Sequence, residues 1–345
     1  MTTGDLSTLL VWAAATAFTV ALVAYTIDMA RIAERSQRGA AAPELVGAAV
    51  ASDGAPAASS SVPRGPVSAV AGSADEAAAG RSVRAEGIAR STHWLGVVLL
   101  FGGIVLRGIA AGRWPTANMY EFTLVGVFVA TLVLAIVQRR RAIPFISVVV
   151  LGLAVLFLAT ALLKFYVQAE AVQPALQSYW LILHVGVAIT ATGVFTVAFA
   201  ASVLQVIRDA RENGRSHLAA RGGSLAGWAV TGPRFAWLEQ VPDARRLEAM
   251  AFRLNAVGFV LWTFTLIAGA IWAEHAWGRY WGWDPKEIGT FVAWVVYAAY
   301  LHARTTRGWS GRRAAYFVFV GYAVVLANFT VVNLVVTGKH SYSGL

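Results

Sequence analysis

The chain has 345 residues, 58% of them hydrophobic and only 13% charged, with a formal net charge of +10 and no cysteine. So small a charged fraction excludes an ordinary soluble domain, which carries nearer a quarter, and points to an all-α polytopic membrane protein. Without cysteine the chain makes no disulfide, thiolate ligand or thioether of its own, so any thiol chemistry takes its sulfur from a partner.

Apolar runs long enough to cross about 30 Å of hydrocarbon predict eight transmembrane helices. The first, Leu6–Ile27, lacks the basic residues that open a secretory signal, so residues 1–30 are expected to be a retained helix. Residues 31–90 are rich in Ala, Ser, Gly and Pro, and around Ala55–Gly72 they read APAASSSVPRGPVSAVAG. Such a composition cannot bury a core, and a disordered cytoplasmic linker is expected there. The remaining spans, Thr92–Ala111, Phe122–Val137, Ile143–Leu163, Tyr179–Ile207, Leu254–Ala273, Ile288–Ala303 and Ala314–Thr337, form a bundle over residues 91–345. Within the polar segment 208–253, Arg234–Leu238 and Ala244–Met250 are candidates for short interfacial helices.

Orientation follows from the basic residues. If the first helix starts outside, the segments 28–91, 138–142, 208–253 and 304–313 lie inside and hold 22 of the 28 Lys and Arg. Both termini and the loop before the seventh span are then extracytoplasmic. The positive charge records topology in a cell membrane, not nucleic-acid binding.

That loop, residues 272–287, reads WAEHAWGRYWGWDPKE. Trp272, Trp277, Trp281 and Trp283 crowd into twelve residues with Tyr280, far denser than the sparse aromatic belt of a membrane surface. The density suggests a flat apolar platform for a flat apolar ligand. Asp284-Pro285-Lys286-Glu287 also reads as a helix start, with Asp284 as N-cap, Pro285 as first residue and Glu287 reaching back. Lys286 is left unexplained by capping. In the loop RWPTANMYEF (113–122), Asn118 is a similar cap for the third span, with Glu121 at its third position.

Topology sorts the six histidines. His184 lies five residues into the fifth span, about 7–8 Å below its outer end. His340 sits just past the last span, and the two can meet beside the Trp loop. Imidazole is a haem axial ligand. Haem is an apolar disc with two carboxylates on one edge, which Arg279 and Lys286 would suit. His302 is deep in the seventh span, where an ionisable residue is costly and usually functional, and His93 is at similar depth. His275 lies among the tryptophans, and His217 lies in the inner loop.

Trp272, Ala273, Trp277, Gly278, Tyr280, Trp281, Trp283, Asp284, Pro285, Lys286 and Glu287 resemble the WWD signature of haem-handling proteins. With NMYEF (118–122), QSYWLILHV (177–185), the helix of His302 and KHSYSG (339–344), the chain resembles the CcsA (ResC) family of System II cytochrome c biogenesis, called CcsB in many actinobacteria. The likeness covers roughly residues 92–345. It implies haem b as cofactor, with His184 and His340 as external axial ligands flanking the Trp loop and His302 as a transmembrane ligand whose second histidine a ResB/Ccs1-like membrane partner supplies. His93, which could form an inner site with His302, stays a candidate iron ligand although the resemblance gives that place to the partner, and His275 is outside the signature. The expected function is a subunit of a holocytochrome c synthase. It would carry haem outward and attach it through thioether bonds to CxxCH of an apocytochrome c kept reduced by thiol-reducing proteins, in a bed of membrane lipid. The rivals are a haem exporter without ligation activity and a di-haem cytochrome b redox subunit.

Overall fold

A computed structural model describes residues 1–50, 67–139, 143–169, 178–215, 229–336, 338 and 340, and its elements among these are all helical. In chain order they are α1 (Thr3–Val50), α2 (Val67–Ala111), α3 (Met119–Val137), α4 (Pro144–Lys164), a π-helical turn (Leu181–Val185) leading into α5 (Gly186–Glu212), a 3₁₀ turn (Pro233–Gln240), α6 (Ala244–Trp277), α7 (Pro285–Thr306), α8 (Arg312–Phe329) and the short α9 (Val331–Leu334).

Seven of these helices are long and apolar enough to cross a membrane, and the protein is a multi-pass membrane protein. The predicted seventh span, α7, is the exception. Trp294, Tyr297, Tyr300, His302 and Arg304 lower its mean hydropathy, although its 22 residues measure about 33 Å. Ion pairing shows that α7 nonetheless traverses the bundle. Its first turn follows the end of α6, while Arg304 near its other end meets Glu248, in the second turn of α6, at 3.0 Å.

The segment 31–90, expected to be an unstructured linker, is helical to Val50 and again from Val67. Its alanines are the strongest helix formers, and they extend α1 and α2 beyond their apolar stretches. The rest of the expected linker, residues 51–66, lies outside the described residues. In the segment 208–253, the 3₁₀ turn falls where the first interfacial helix was expected. The second is the opening of α6 itself.

Two cores divide the bundle. One is built on α1 to α4 with Phe18, Leu100, Leu134 and Leu158, and draws in Val197 and Leu204 of α5. The other gathers Phe195, Trp262, Tyr297 and Tyr322 from α5, α6, α7 and α8. Phe122 of α3 stacks on Phe329 of α8 at 4.7 Å, which brings the end of α8 into the first core. Ser7 near the start of α1 donates to the Gly103 carbonyl at 2.7 Å, and His340 reaches Asp284. The Trp loop and His340 therefore share one end of the bundle.

Candidate functional site

Between the two cores, at the Trp-loop end, lies a cavity of about 1120 Å³ counting its open mouth. Its walls come from the 116–119 loop, the π turn, α6, α7, α8 and the tail. His184, His340, Trp272, Trp277 and Lys286 all line it. A smaller adjoining pocket shares His184, Lys286 and His340 and adds Tyr280, Trp281 and Glu287.

His184 is carried by the π turn, a widened turn of the kind found at functional sites. Its Nδ1–H donates to the backbone carbonyl of Thr265 at 2.9 Å, and its ring meets Trp272 edge-on at 5.7 Å. Gly269 lies against the ring: a Cβ there would stand 2.6 Å from His184 Cε1. His340 donates Nδ1–H to Asp284 Oδ2 at 2.8 Å and meets Trp277 edge-on at 4.9 Å. With both Nδ1 protons donated, each Nε2 carries the lone pair. Burial pushes the His340 pKa below its ordinary value, opposed by the bond to Asp284 and its charge.

Asp284 is the N-cap of α7 in a full capping box, with Glu287 accepting from the Asp284 backbone N–H at 3.0 Å. The same carboxylate thus starts a helix and holds a histidine. Before it, Gly278 ends α6 in the left-handed conformation (φ 68°) that favours glycine. Lys286 Nζ donates to the Asn328 carbonyl at 2.7 Å.

The third-span cap is also present: the Asn118 side chain accepts from the Glu121 N–H at 2.9 Å. Glu121 does more than complete it. Fully buried, it pairs with Arg107 at 3.0 Å and Arg113 at 2.7 Å and accepts from the Ala117 N–H, which pins the loop forming one cavity wall.

The other expected residues are placed elsewhere. The Arg279 guanidinium folds over Gly282, occupying the space a Cβ there would need, and lies outside both cavity linings. Trp283 is 71% exposed and lines neither pocket. It is the one described non-glycine residue with positive φ, at 59°. His275 is exposed and turned onto the Ile271 carbonyl at 2.8 Å. His93 is buried among α1, α2 and α3, its Nε2 on the Thr131 carbonyl at 3.0 Å. His302 is exposed on α7, which packs on α6 and α8, so the two deep histidines are not brought together. His217 lies outside the described residues. Thr265, Gly269, Asn328 and the π turn escaped the sequence, because a backbone carbonyl and a missing Cβ leave no motif.

Residues 116–340 match the family described as Cytochrome C assembly protein. The chain is 34% identical over 263 residues to the cytochrome c biogenesis protein CcsA of Synechococcus sp. (strain CC9902), covering 74% of this chain and 86% of that protein. It is 35% identical over 256 residues to the CcsA of Prochlorococcus marinus (strain MIT 9303), covering 71% and 80% respectively. Among solved structures, cytochrome c haem lyase CcmF superposes with a TM-score of 0.55 at 17% identity, a likeness of fold alone. It spans 95% of this chain but 47% of CcmF, so this chain matches about half the length of that lyase. By sequence over most of its length, then, the chain belongs to the cytochrome c assembly protein family, and its function is cytochrome c assembly.

Proposed function

We propose that the chain holds haem b between His184 and His340 and presents it for attachment to apocytochrome c. The observation that carries this reading is the pair of imidazoles on one aromatic cavity, each with its Nδ1–H donated to an oxygen and Nε2 left as the ligating nitrogen. Ligating histidines are nearly always held this way. The residues present fit the group: two nitrogen donors, two indole walls, and a polar rim of Lys286, Asn118 and Asn333.

Bound haem would supply the vinyl carbons to which the two cysteine sulfurs of a CxxCH segment attach. The protein's own contribution is placement and exclusion of water. Trp272 and Trp277 wall the cavity beside the imidazoles. Asp284 and the Thr265 carbonyl fix the rings, and Lys286 brings a cation to the rim for a carboxylate. The Trp loop faces the extracytoplasmic side of the cell membrane, in keeping with the charge asymmetry.

His302 belongs to a second, inner site shared with a ResB/Ccs1-like partner. Ile288, Val292, Val295, Ala299 and His302 are all exposed on one face of α7 at alternating spacings of four and three. That is the seam a neighbouring helix packs against. Facing lipid alone, His302 would be costly. The di-haem cytochrome b reading needs histidines paired within the bundle, and His93 instead spends its Nε2 on Thr131.

The test is cytochrome c assembly in cells carrying His184→Ala or His340→Ala, with the protein's membrane level checked in parallel. Loss of assembly at normal protein level is expected for both. Normal cytochrome c in either variant would overturn the reading.

A further inference from the structure

The two histidines differ in what holds them, and this bears on how strongly each would bind iron. His184 donates to a neutral backbone carbonyl, Thr265 O, at 2.9 Å. That carbonyl lies within α6, where the helical ladder already claims it. His340 donates to a carboxylate at 2.8 Å. Charge-assisted bonds are roughly twice as strong as neutral ones. A carboxylate on Nδ1–H also raises the basicity of the ligating nitrogen.

The carboxylate cannot turn away. The Asp284 side chain is 5% exposed and receives the Lys286 N–H at 3.2 Å. Glu287 closes the capping box on its backbone. The tail runs directly over it, for a Cβ on Gly338 would fall 2.7 Å from Asp284 Oδ1. These contacts tie helix start, carboxylate and His340 together, while His184 rides on a π turn.

We infer that Asp284 is a positioning residue that makes His340 the anchoring haem ligand and leaves His184 the exchangeable one. This rests on the haem reading above and goes beyond it, since that reading treats the two ligands alike. Asp284 contacts neither haem nor substrate in this role and acts through His340.

Helix capping alone would also make Asp284 matter, so the test must separate the two. Asn caps a helix as well as Asp, which makes Asp284→Asn a change of charge with the cap retained. Haemin is titrated into the purified full-length protein in detergent, with Asp284→Asn placed separately in His184→Ala and His340→Ala backgrounds. Where His340 alone remains, Asp284→Asn should weaken haemin binding about tenfold and raise the midpoint potential of the bound haem. Where His184 alone remains, both quantities should be unchanged. Equal weakening in both backgrounds would make Asp284 a purely structural cap and overturn the inference, as would no weakening in either. Wild-type protein that takes up no haemin would overturn the haem reading itself, and this inference with it.

Discussion

The ammonium of Lys286 donates to the Asn328 carbonyl at 2.7 Å, joining the first turn of α7 to the last turn of α8. A cation suits the carbonyl end of a helix, so Lys286 serves the end of α8 while Asp284 serves the start of α7. Beside them Asn328 Nδ2 donates to Thr290 Oγ1 at 2.9 Å, which completes a polar seam along the cavity wall. Replacing Lys286 with Met removes a charged hydrogen bond of about 1.5–3 kcal/mol. Thermal unfolding in detergent should register that loss, and haemin affinity should fall with it, because Lys286 also lines the cavity. A Lys286→Met protein as stable as wild type would contradict the tie.

Gly269→Ala is expected to disturb His184 without touching a ligand atom. The added methyl would stand 2.6 Å from His184 Cε1, with the Trp272 ring on another side of the imidazole. Overpacking of this kind costs about 1–3 kcal/mol, and a displaced ring weakens metal binding by about 10–100-fold. Haemin titration and the absorption spectrum of the bound form check this. An unchanged spectrum would mean that the ring has room to move.

The cost of breaking the Arg107–Glu121–Arg113 cluster should be large. Arg107 also donates to the carbonyls of Val167 and Gln168 at 2.8 and 3.1 Å, so Glu121 organises the loops on both sides of α3 and α4. Glu121→Gln leaves two guanidinium groups without their carboxylate, and removing one partner of a buried pair costs roughly 3–5 kcal/mol. Asn118→Ala, which removes only a cap, should cost about 1 kcal/mol. Comparing the two unfolding midpoints in the same detergent tests the ranking.

The pH response of His340 has a definite sign. Burial lowers its pKa in the folded protein below the ordinary value of about 6.5. A histidine with a lowered folded pKa contributes stability fully above the unfolded value, and loses it as pH falls through the folded one. The difference in unfolding midpoint between wild type and His340→Gln should therefore stay constant above about pH 6.5 and shrink below it. A difference that grows on acidification would reverse the sign.

Much of this was legible in the residues. Asp284 and Asn118 announce their helix starts because caps are local and have a narrow chemistry, and both do so in the structure. His184 and His340 could be paired in advance because helix length converts residue number into depth. What the sequence hid is of another kind. Arg279 is flexible, and its direction depends on the gap at Gly282. Trp283 is turned outward by a left-handed backbone that no tryptophan advertises. The Thr265 carbonyl is a group every residue has, and only the fold decides which one meets a histidine. The low complexity of residues 31–90 suggests disorder, but its alanines also favour helix, and α1 and α2 extend into it.

The composition of α7 has a consequence for how the protein is made. A segment carrying the indole N–H of Trp294, buried Tyr297 and Tyr300, and Arg304 enters hydrocarbon poorly by itself. Its needs are met by its neighbours: Trp294 Nε1 donates to Thr263 of α6 at 2.9 Å, Lys286 to α8, and Arg304 pairs with Glu248 of α6. The helix that begins at Asp284 is thus expected to settle in the bilayer only with α6 and α8 beside it to partner its polar groups. Lys286 and Thr290 of α7 line the cavity, so a chain without this helix in place lacks one of its walls.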